Sequence, residues 1–158
     1  MVDVSCNMSY RVGAFPNMKT TSELILGVIS LIFGCAIYLL FRSKSINIYQ
    51  WCNALGLSNK VDALRKLVQG WEVPDFVKFC IPDGLYCASY ILIIDAILRN
   101  EKPLKYFMVA FIPLVAIASE LLQYLGIAKG TFDWYDIICY ATPLLLYYIS
   151  TNLKFKRL

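Results

Sequence analysis

The sequence predicts an all-α integral membrane protein, a bundle of four transmembrane helices with a short amphipathic helix in the first loop. Three observations support this prediction. The 158 residues are 59% hydrophobic and only 16% charged, whereas about 25% of a soluble domain is charged. The segment Leu24 to Phe41 is an unbroken apolar run, and basic residues stand near the ends of the apolar runs. One small soluble core cannot bury so much apolar surface, so we expect residues 1–158 to form a single membrane domain.

The first span, at about residues 24–41, is the clearest, and Arg42 and Lys44 close it. Gly27 and Gly34 lie on one face of this helix, which favours a close helix contact. Three further apolar segments predict spans at about residues 79–98, 106–125 and 134–153. The polar N-terminal segment has no apolar region of signal-peptide type, and the sequence leaves open whether Met1 or Met18 is the start.

The first loop contains the predicted amphipathic helix, at about residues 58–70. Its sequence "NKVDALRKLVQGW" places valines and leucines at helical spacing opposite basic residues. Such a helix lies on the membrane surface, where Trp51 and Trp71 would flank it at headgroup depth, or it packs on the rest of the domain. The sequence leaves both alternatives open.

The basic residues predict the orientation. With four spans, both termini and the segment 99–105 share one side, which carries eight basic residues against seven on the other. The segment 99–105 and the C-terminal tail have three each, whereas the last loop has only Lys129. The positive-inside rule therefore predicts cytoplasmic termini and residues 123–133 outside. The net charge of +4 is explained by headgroup anchoring and topology rather than by nucleic-acid binding.

A polar cluster interrupts the apolar pattern at "SELLQYLGIAKGTFDWYD", residues 119–136. Carboxylates are costly at membrane depth and mark functional sites. Because antiparallel helices joined by a short loop bring their ends together, the acids of three spans meet at one membrane face, with tyrosines deeper on the second span. We expect these side chains to form a polar funnel that opens at the outer surface of the membrane. We predict that this funnel binds a ligand through Asp83, Glu120, Gln123, Asp133, Asp136, Tyr86 and Tyr90.

Helix capping is the alternative explanation for some of these acids. Asp133 has the position of an N-cap, and Asp136 follows it in the first helical turn, where the dipole favours an anion. Asp83 follows Pro82, a residue typical of a first turn, so the same explanation applies to it.

Glu120 has no such explanation, because it lies near a helix C-terminus, where the dipole disfavours an anion. It is therefore the strongest functional candidate in the chain. Asp95 lies four residues before Arg99, and we expect these two side chains to pair.

The composition gives no indication of a cofactor, a metal site or catalytic residues. The chain has no histidine, the commonest metal ligand and general base, and its six cysteines include no CxxC pair. Neither a disulfide framework nor a zinc site is predicted. With no nucleophile–base pair visible, a non-enzymatic role is favoured over a lipid-modifying enzyme that uses the acids as acid and base.

Residues 79–150 resemble the VanZ-like family of small bacterial membrane proteins. The likeness rests on "SELLQ", a short glycine-containing loop, and "GTFDWYD" opening a final apolar helix. Glu120, Gln123, Asp133 and Asp136 stand at the matching positions. Lys129 replaces a common arginine, and "CYATP" replaces the usual Asn and Gly after the second Asp. The family is linked to teicoplanin tolerance, so the resemblance implies a place in the bacterial envelope.

Two functions are therefore expected. The first is a multi-pass protein of the bacterial inner membrane that binds a lipid-linked or glycan headgroup at the acidic outer-face funnel. The second is an oligomeric pore or membrane-perturbing effector partnered with a soluble sensor, for example in phage defence. The expected partners are membrane lipids, further copies of the chain and, in the second case, a soluble protein.

Overall fold

The computed structural model describes residues 18–155, which form six helices and no strand. The prediction of an all-α protein is confirmed for this part of the chain. The predictions about residues before Met18 and about the basic tail after Phe155 lie outside it. The helices are α1 (Met18–Phe41), α2 (Asn47–Ala54), α3 (Ser58–Val68), α4 (Asp75–Ile97), α5 (Lys102–Tyr124) and α6 (Trp134–Phe155).

Within residues 18–155, three helical segments are long and apolar enough to cross a membrane: Thr20–Phe41, Asp75–Ile97 and Lys102–Tyr124. The protein is therefore a membrane protein, as its composition predicts. Large apolar side chains cover the outer faces of these helices, as lipid contact requires. The predicted fourth span corresponds to α6, which is not one of these three segments, because its four tyrosines and C-terminal polar residues lower its mean hydropathy. The prediction of four spans is therefore not confirmed.

Helix α4 begins at Asp75, earlier than the predicted span at residue 79. Pro74 stands at its N-cap position, and Lys78 pairs with Asp75 at 3.3 Å one turn later. Pro82 and Asp83 consequently lie inside the helix and not in its first turn. The expectation that Asp83 stabilises a helix N-terminus is wrong, because the helix dipole acts only within the first turn.

Helix α4 is the centre of the bundle and packs against α1, α5 and α6. Glycines allow the close approaches. A Cβ at Gly27 would lie 2.9 Å from Cγ1 of Ile93, and one at Gly34 would lie 3.3 Å from the Pro82 carbonyl oxygen. A Cβ at Gly84 would lie 3.1 Å from the Cys139 carbonyl oxygen of α6. The close contact predicted from Gly27 and Gly34 is therefore present, between α1 and α4.

Ion pairs join the helices at the end of the bundle where α1 begins and α4 ends. Asp95 accepts a hydrogen bond from the Tyr147 hydroxyl at 2.7 Å and pairs with Lys105 at 2.9 Å. Arg99 lies just beyond the end of α4 and pairs with Glu23 of α1. The expected pair between Asp95 and Arg99 is therefore wrong, because each residue has a partner on another helix.

The first loop contains one helix more than predicted, α2, followed by α3, which matches the predicted amphipathic segment. Helix α3 contacts α1 and α2. Val61 is buried there, whereas Leu64 and Leu67 are 54% and 75% exposed. Of the two alternatives, α3 does pack on the rest of the domain, and it also presents apolar side chains outward.

Candidate functional site

A cavity of about 470 Å³ opens at the end of the bundle where α1 and α5 end and α6 begins. We call it the acidic pocket. It is lined by Arg42, Phe79, Asp83, Glu120, Gln123, Thr131, Asp133, Asp136 and Tyr140. Five of the seven residues predicted to bind a ligand therefore line one cavity. They come from α4, α5, α6 and the loop before α6, as the antiparallel arrangement of the helices predicts.

Glu120 is the most buried acid of the pocket, with 7% of its surface exposed. It lies in the last turn of α5, as predicted. Its carboxylate accepts hydrogen bonds from the Gln123 amide at 3.3 Å and from the Asp133 backbone N–H at 3.5 Å. Both donors are neutral and both bonds are long, so they compensate only weakly for burying a charge.

Asp133 caps α6. Its Oδ1 accepts a hydrogen bond from the Tyr135 backbone N–H at 2.9 Å, which is the geometry of an N-cap. The capping explanation for Asp133 is therefore confirmed. The same residue links the helix start to Glu120 through its own N–H, so the cap also fixes the distance between α5 and α6.

Asp136 has an unsatisfied oxygen. Its Oδ1 is buried and has no hydrogen-bond partner among the described residues. An unpaired buried polar atom costs about 1–3 kcal/mol. Asp136 lies in the first turn of α6, where the helix dipole favours a negative charge. The dipole does not supply this oxygen with a hydrogen-bond donor. Capping therefore accounts for Asp133 more fully than for Asp136.

Cys80 joins these two acids. Its Sγ and one carboxylate oxygen each from Asp133 and Asp136 lie within 4.8 Å of one another. Cysteine and carboxylate are zinc ligands, but a closed structural site uses four donors, and the described part of the chain offers three here. Cys80 was not among the site residues predicted from the sequence. Its position three residues before Asp83 on α4 was the available signal.

Arg42 is the cation of the acidic pocket, and sequence reasoning assigned it only to anchoring and topology. Its guanidinium carbon lies 4.7 Å from the ring centroids of both Tyr38 and Phe79. Its Nε is buried without a hydrogen-bond partner in the described chain. The signal was its place at the end of the first span, on the side where the acids were predicted to meet.

The loop before α6 covers one side of the pocket. Gly130 has φ +146°, and a Cβ on it would lie 2.3 Å from Oε1 of Gln123. A glycine is therefore required there by both the backbone conformation and the space. Lys129, one residue earlier, is exposed, and the ion pairs of residues 18–155 do not include it.

Tyr86 and Tyr90, the other two predicted site residues, do not line the acidic pocket. The Tyr86 hydroxyl contacts the Cys35 sulfur at 3.6 Å and lines a neighbouring cavity of about 630 Å³, which shares Asp83. The Tyr90 hydroxyl donates to the Met108 carbonyl oxygen at 2.5 Å, deep between α4 and α5. The tyrosine that lines the acidic pocket is Tyr140, whose hydroxyl donates to Asp83 at 3.3 Å.

No protein-family model, curated protein or solved structure matches this chain.

Proposed function

We propose that the acidic pocket binds the polar headgroup of a lipid-linked or glycan compound at the surface of the bacterial inner membrane. The observation that carries this proposal is a pair of unsatisfied groups on side chains that line one cavity. Asp136 has a buried acceptor without a donor, and Arg42 has a buried donor without an acceptor. A hydroxyl group both donates and accepts, so small rotations of the two side chains would let ligand hydroxyls satisfy both.

The charge and size of the pocket support a hydroxyl-rich ligand. Four carboxylates face a single guanidinium across about 470 Å³, which is large enough for a small ligand. Carboxylates accept hydrogen bonds and repel anions, so donors such as sugar hydroxyls or an amine fit this lining. The residues that carry the VanZ-like resemblance also line the pocket: Glu120, Gln123, Asp133 and Asp136. This supports a site that the chain shares with that family.

We also propose that α6 is the fourth membrane span. Its 22 residues extend about 33 Å at 1.5 Å per residue, enough to cross the apolar core. Tyr140 and Tyr147 bond to Asp83 and Asp95 on α4, so these hydroxyls are satisfied inside the bundle. The outward positions carry large exposed apolar side chains: Ile138, Leu145, Leu146, Ile149 and Leu153.

The experiment is to purify the full chain from bacterial membranes and to identify the retained lipids by mass spectrometry. We expect lipid-linked saccharides to be enriched over their abundance in the membrane, and Asp136→Asn to lose this enrichment. Asp75→Asn is the matched control, because the Asp75 side chain is 83% exposed and lies outside the pocket. Equal retention in both variants, or no enrichment in the unmodified protein, would contradict the proposal.

A further inference from the structure

A third cavity, of about 500 Å³, shares Arg42 with the acidic pocket but has the opposite charge. We call it the basic pocket. It lies between the end of α1, the helix α3 and the start of α4. Among the described residues, one carboxylate, that of Asp62, lines it together with five basic side chains: Arg42, Lys44, Arg65, Lys66 and Lys78.

The guanidinium of Arg65 is held in place, but not all of its N–H donors have a hydrogen-bond partner. Its Nε donates to the Leu39 carbonyl oxygen at the end of α1 at 2.6 Å, and its guanidinium lies 4.9 Å from the Tyr49 ring centroid. Its Nη2 is buried and has no hydrogen-bond partner within residues 18–155. A fixed guanidinium with a spare donor is prepared to bind an oxyanion.

The Asp62 carboxylate is already engaged. Lys44 lies 2.7 Å from it, and the Tyr49 hydroxyl donates to it at 3.0 Å. The hydrogen bond between Lys44 and Asp62 lowers the pKa of the aspartate and raises the pKa of the lysine. This pair cancels one positive charge, and Lys78 pairs with Asp75 at 3.3 Å just outside the pocket. The other three basic side chains, those of Arg42, Arg65 and Lys66, have no ion pair among residues 18–155.

The position of the pocket fits the polar surface of a membrane. Phe41 ends the first apolar segment and Asp75 begins the second, so the pocket lies where these two spans leave the apolar core. Trp71, which also lines it, is 67% exposed, and tryptophan is enriched at headgroup depth. Lipid phosphates lie in this layer, and clustered basic side chains attract them.

We propose that the basic pocket binds a phosphate group, carried by a lipid headgroup or free in solution. A phosphate offers several oxygens and one or two negative charges, which match a guanidinium with a spare donor and several lysines. This site goes beyond the proposed function, because it is a separate cavity with its own residues. It does not require a ligand in the acidic pocket.

The test uses the full chain in detergent with two probes. The first probe is phosphatidylglycerol, compared with a diacylglycerol of the same acyl chains by native mass spectrometry. The second is inorganic phosphate, compared with chloride at equal ionic strength by the shift in melting temperature. Binding of the lipid alone identifies a headgroup site, and a shift with inorganic phosphate identifies a site open to free phosphate. Either result supports the proposal, provided that substitutions in the basic pocket weaken the binding.

Two double variants with the same change of charge establish that dependence. Lys66→Gln with Lys78→Gln removes two pocket lysines and leaves the Arg65 contact to α1 in place. Lys60→Gln with Lys129→Gln removes two exposed lysines outside the pocket. We expect the pocket variant to weaken binding about tenfold, and the surface variant to change it by less than about twofold.

Equal losses in the two double variants would overturn the proposal, because they would indicate attraction by net charge alone. So would the absence of binding to both probes. A failure here leaves the retention of lipid-linked saccharides by the acidic pocket unchanged, because Asp136 does not line the basic pocket. Arg65→Lys tests the geometry: it keeps the charge but removes the planar fork, and we expect it to weaken binding as well.

Discussion

Glu120 is an acid at a place where its own helix disfavours a negative charge, and the residues around it do not remove the conflict. The dipole of α5 opposes the carboxylate, since the helix ends only four residues later. Its two donors are a side-chain amide and a backbone N–H. Lys129, the basic residue of the loop between α5 and α6, is exposed and belongs to none of the ion pairs within residues 18–155. A ligand bound in the acidic pocket, as proposed above, would supply this carboxylate with a further donor.

Asp133 should behave as a cap. Asparagine caps nearly as well as aspartate, so we expect Asp133→Asn to leave the free energy of unfolding nearly unchanged. We expect Asp133→Ala to lower it by about 1 kcal/mol, because the bond to the Tyr135 N–H is lost. Chemical unfolding in detergent measures the difference. Equal losses in the two variants would show that the charge of Asp133, and not its capping bond, is what stabilises the fold.

The members of the acidic pocket were predictable in part. Four of them are polar residues of one short stretch between two apolar segments: Glu120, Gln123, Asp133 and Asp136. The sequence pattern was therefore sufficient to select these four. Arg42, which lines the pocket, and Cys80, which lies beside Asp133 and Asp136, were missed. A basic residue after a span and a cysteine in an apolar run each have an ordinary explanation. Tyr86 and Tyr90 lie on the same helix as Asp83, but the rotation of a helix against its neighbours is not encoded in spacing alone.

At the scale of helices, the contact between α1 and α4 depends on glycine. A leucine at Gly27 would collide with Ile93 and with the Ser89 carbonyl oxygen, which would lie 2.9 Å and 3.3 Å from the first added carbon. We expect Gly27→Leu to destabilise the fold by about 1–3 kcal/mol. Gly70→Leu is the control, because a Cβ there meets nothing within 4 Å. Similar melting temperatures for the two variants would argue against the close helix contact.

The attachment of α3 to the end of α1 should depend on pH. Because Lys44 lowers the pKa of Asp62, their pair stabilises the attachment above the ordinary aspartate value of 3.8, and this is lost as the pH falls below it. At the alkaline side, the stabilisation is present below the ordinary lysine value of 10.5 and is lost as the pH rises above the raised value. Hydrogen exchange of the α3 amides, corrected for intrinsic rates, measures it.

Lys44→Gln should reduce this acid sensitivity, because only the hydrogen bond from Tyr49 and the charge of Arg65 still lower the pKa of Asp62. Lys60→Gln on the exposed side of α3 should leave the acid sensitivity unchanged. Because the pair is exposed, high salt should also weaken it. If the exchange of α3 has the same pH dependence in Lys44→Gln as in the unmodified chain, the pair does not hold α3 in place.

The long helices were predictable because an apolar run of 18 or more residues has few alternatives. The start of α4 was not predictable from the sequence. Residues 76–78 combine apolar and charged side chains, and their helical state depends on Pro74 and on packing against α1. Helix α2 was missed because it has only eight residues, "NIYQWCNA", and because Ile46 at its N-cap makes no side-chain capping bond. Its stability comes from contacts with α1 and α3.

For the whole molecule, both pockets lie at one end of the bundle, and the Asp95 and Glu23 ion pairs lie at the other. The predicted orientation places the pocket end outside. Single cysteines in a cysteine-free background test this: we expect Asn59→Cys to react with an impermeant reagent in intact cells, and Glu101→Cys to react only after the membrane is opened. Both positions are exposed. The reverse pattern would place the pockets in the cytoplasm.

The claim that the acidic pocket holds a lipid-linked or glycan headgroup is tested most directly by photo-crosslinking in cells. A photoreactive amino acid at Thr131 lies at the pocket lining, and one at Leu145 lies on the outward apolar face of α6. We predict that Thr131 captures a saccharide-bearing compound, that Glu120→Gln reduces this adduct without lowering the amount of protein in the membrane, and that Leu145 captures bulk phospholipid. The same adducts at both positions, unaffected by Glu120→Gln, would contradict the account.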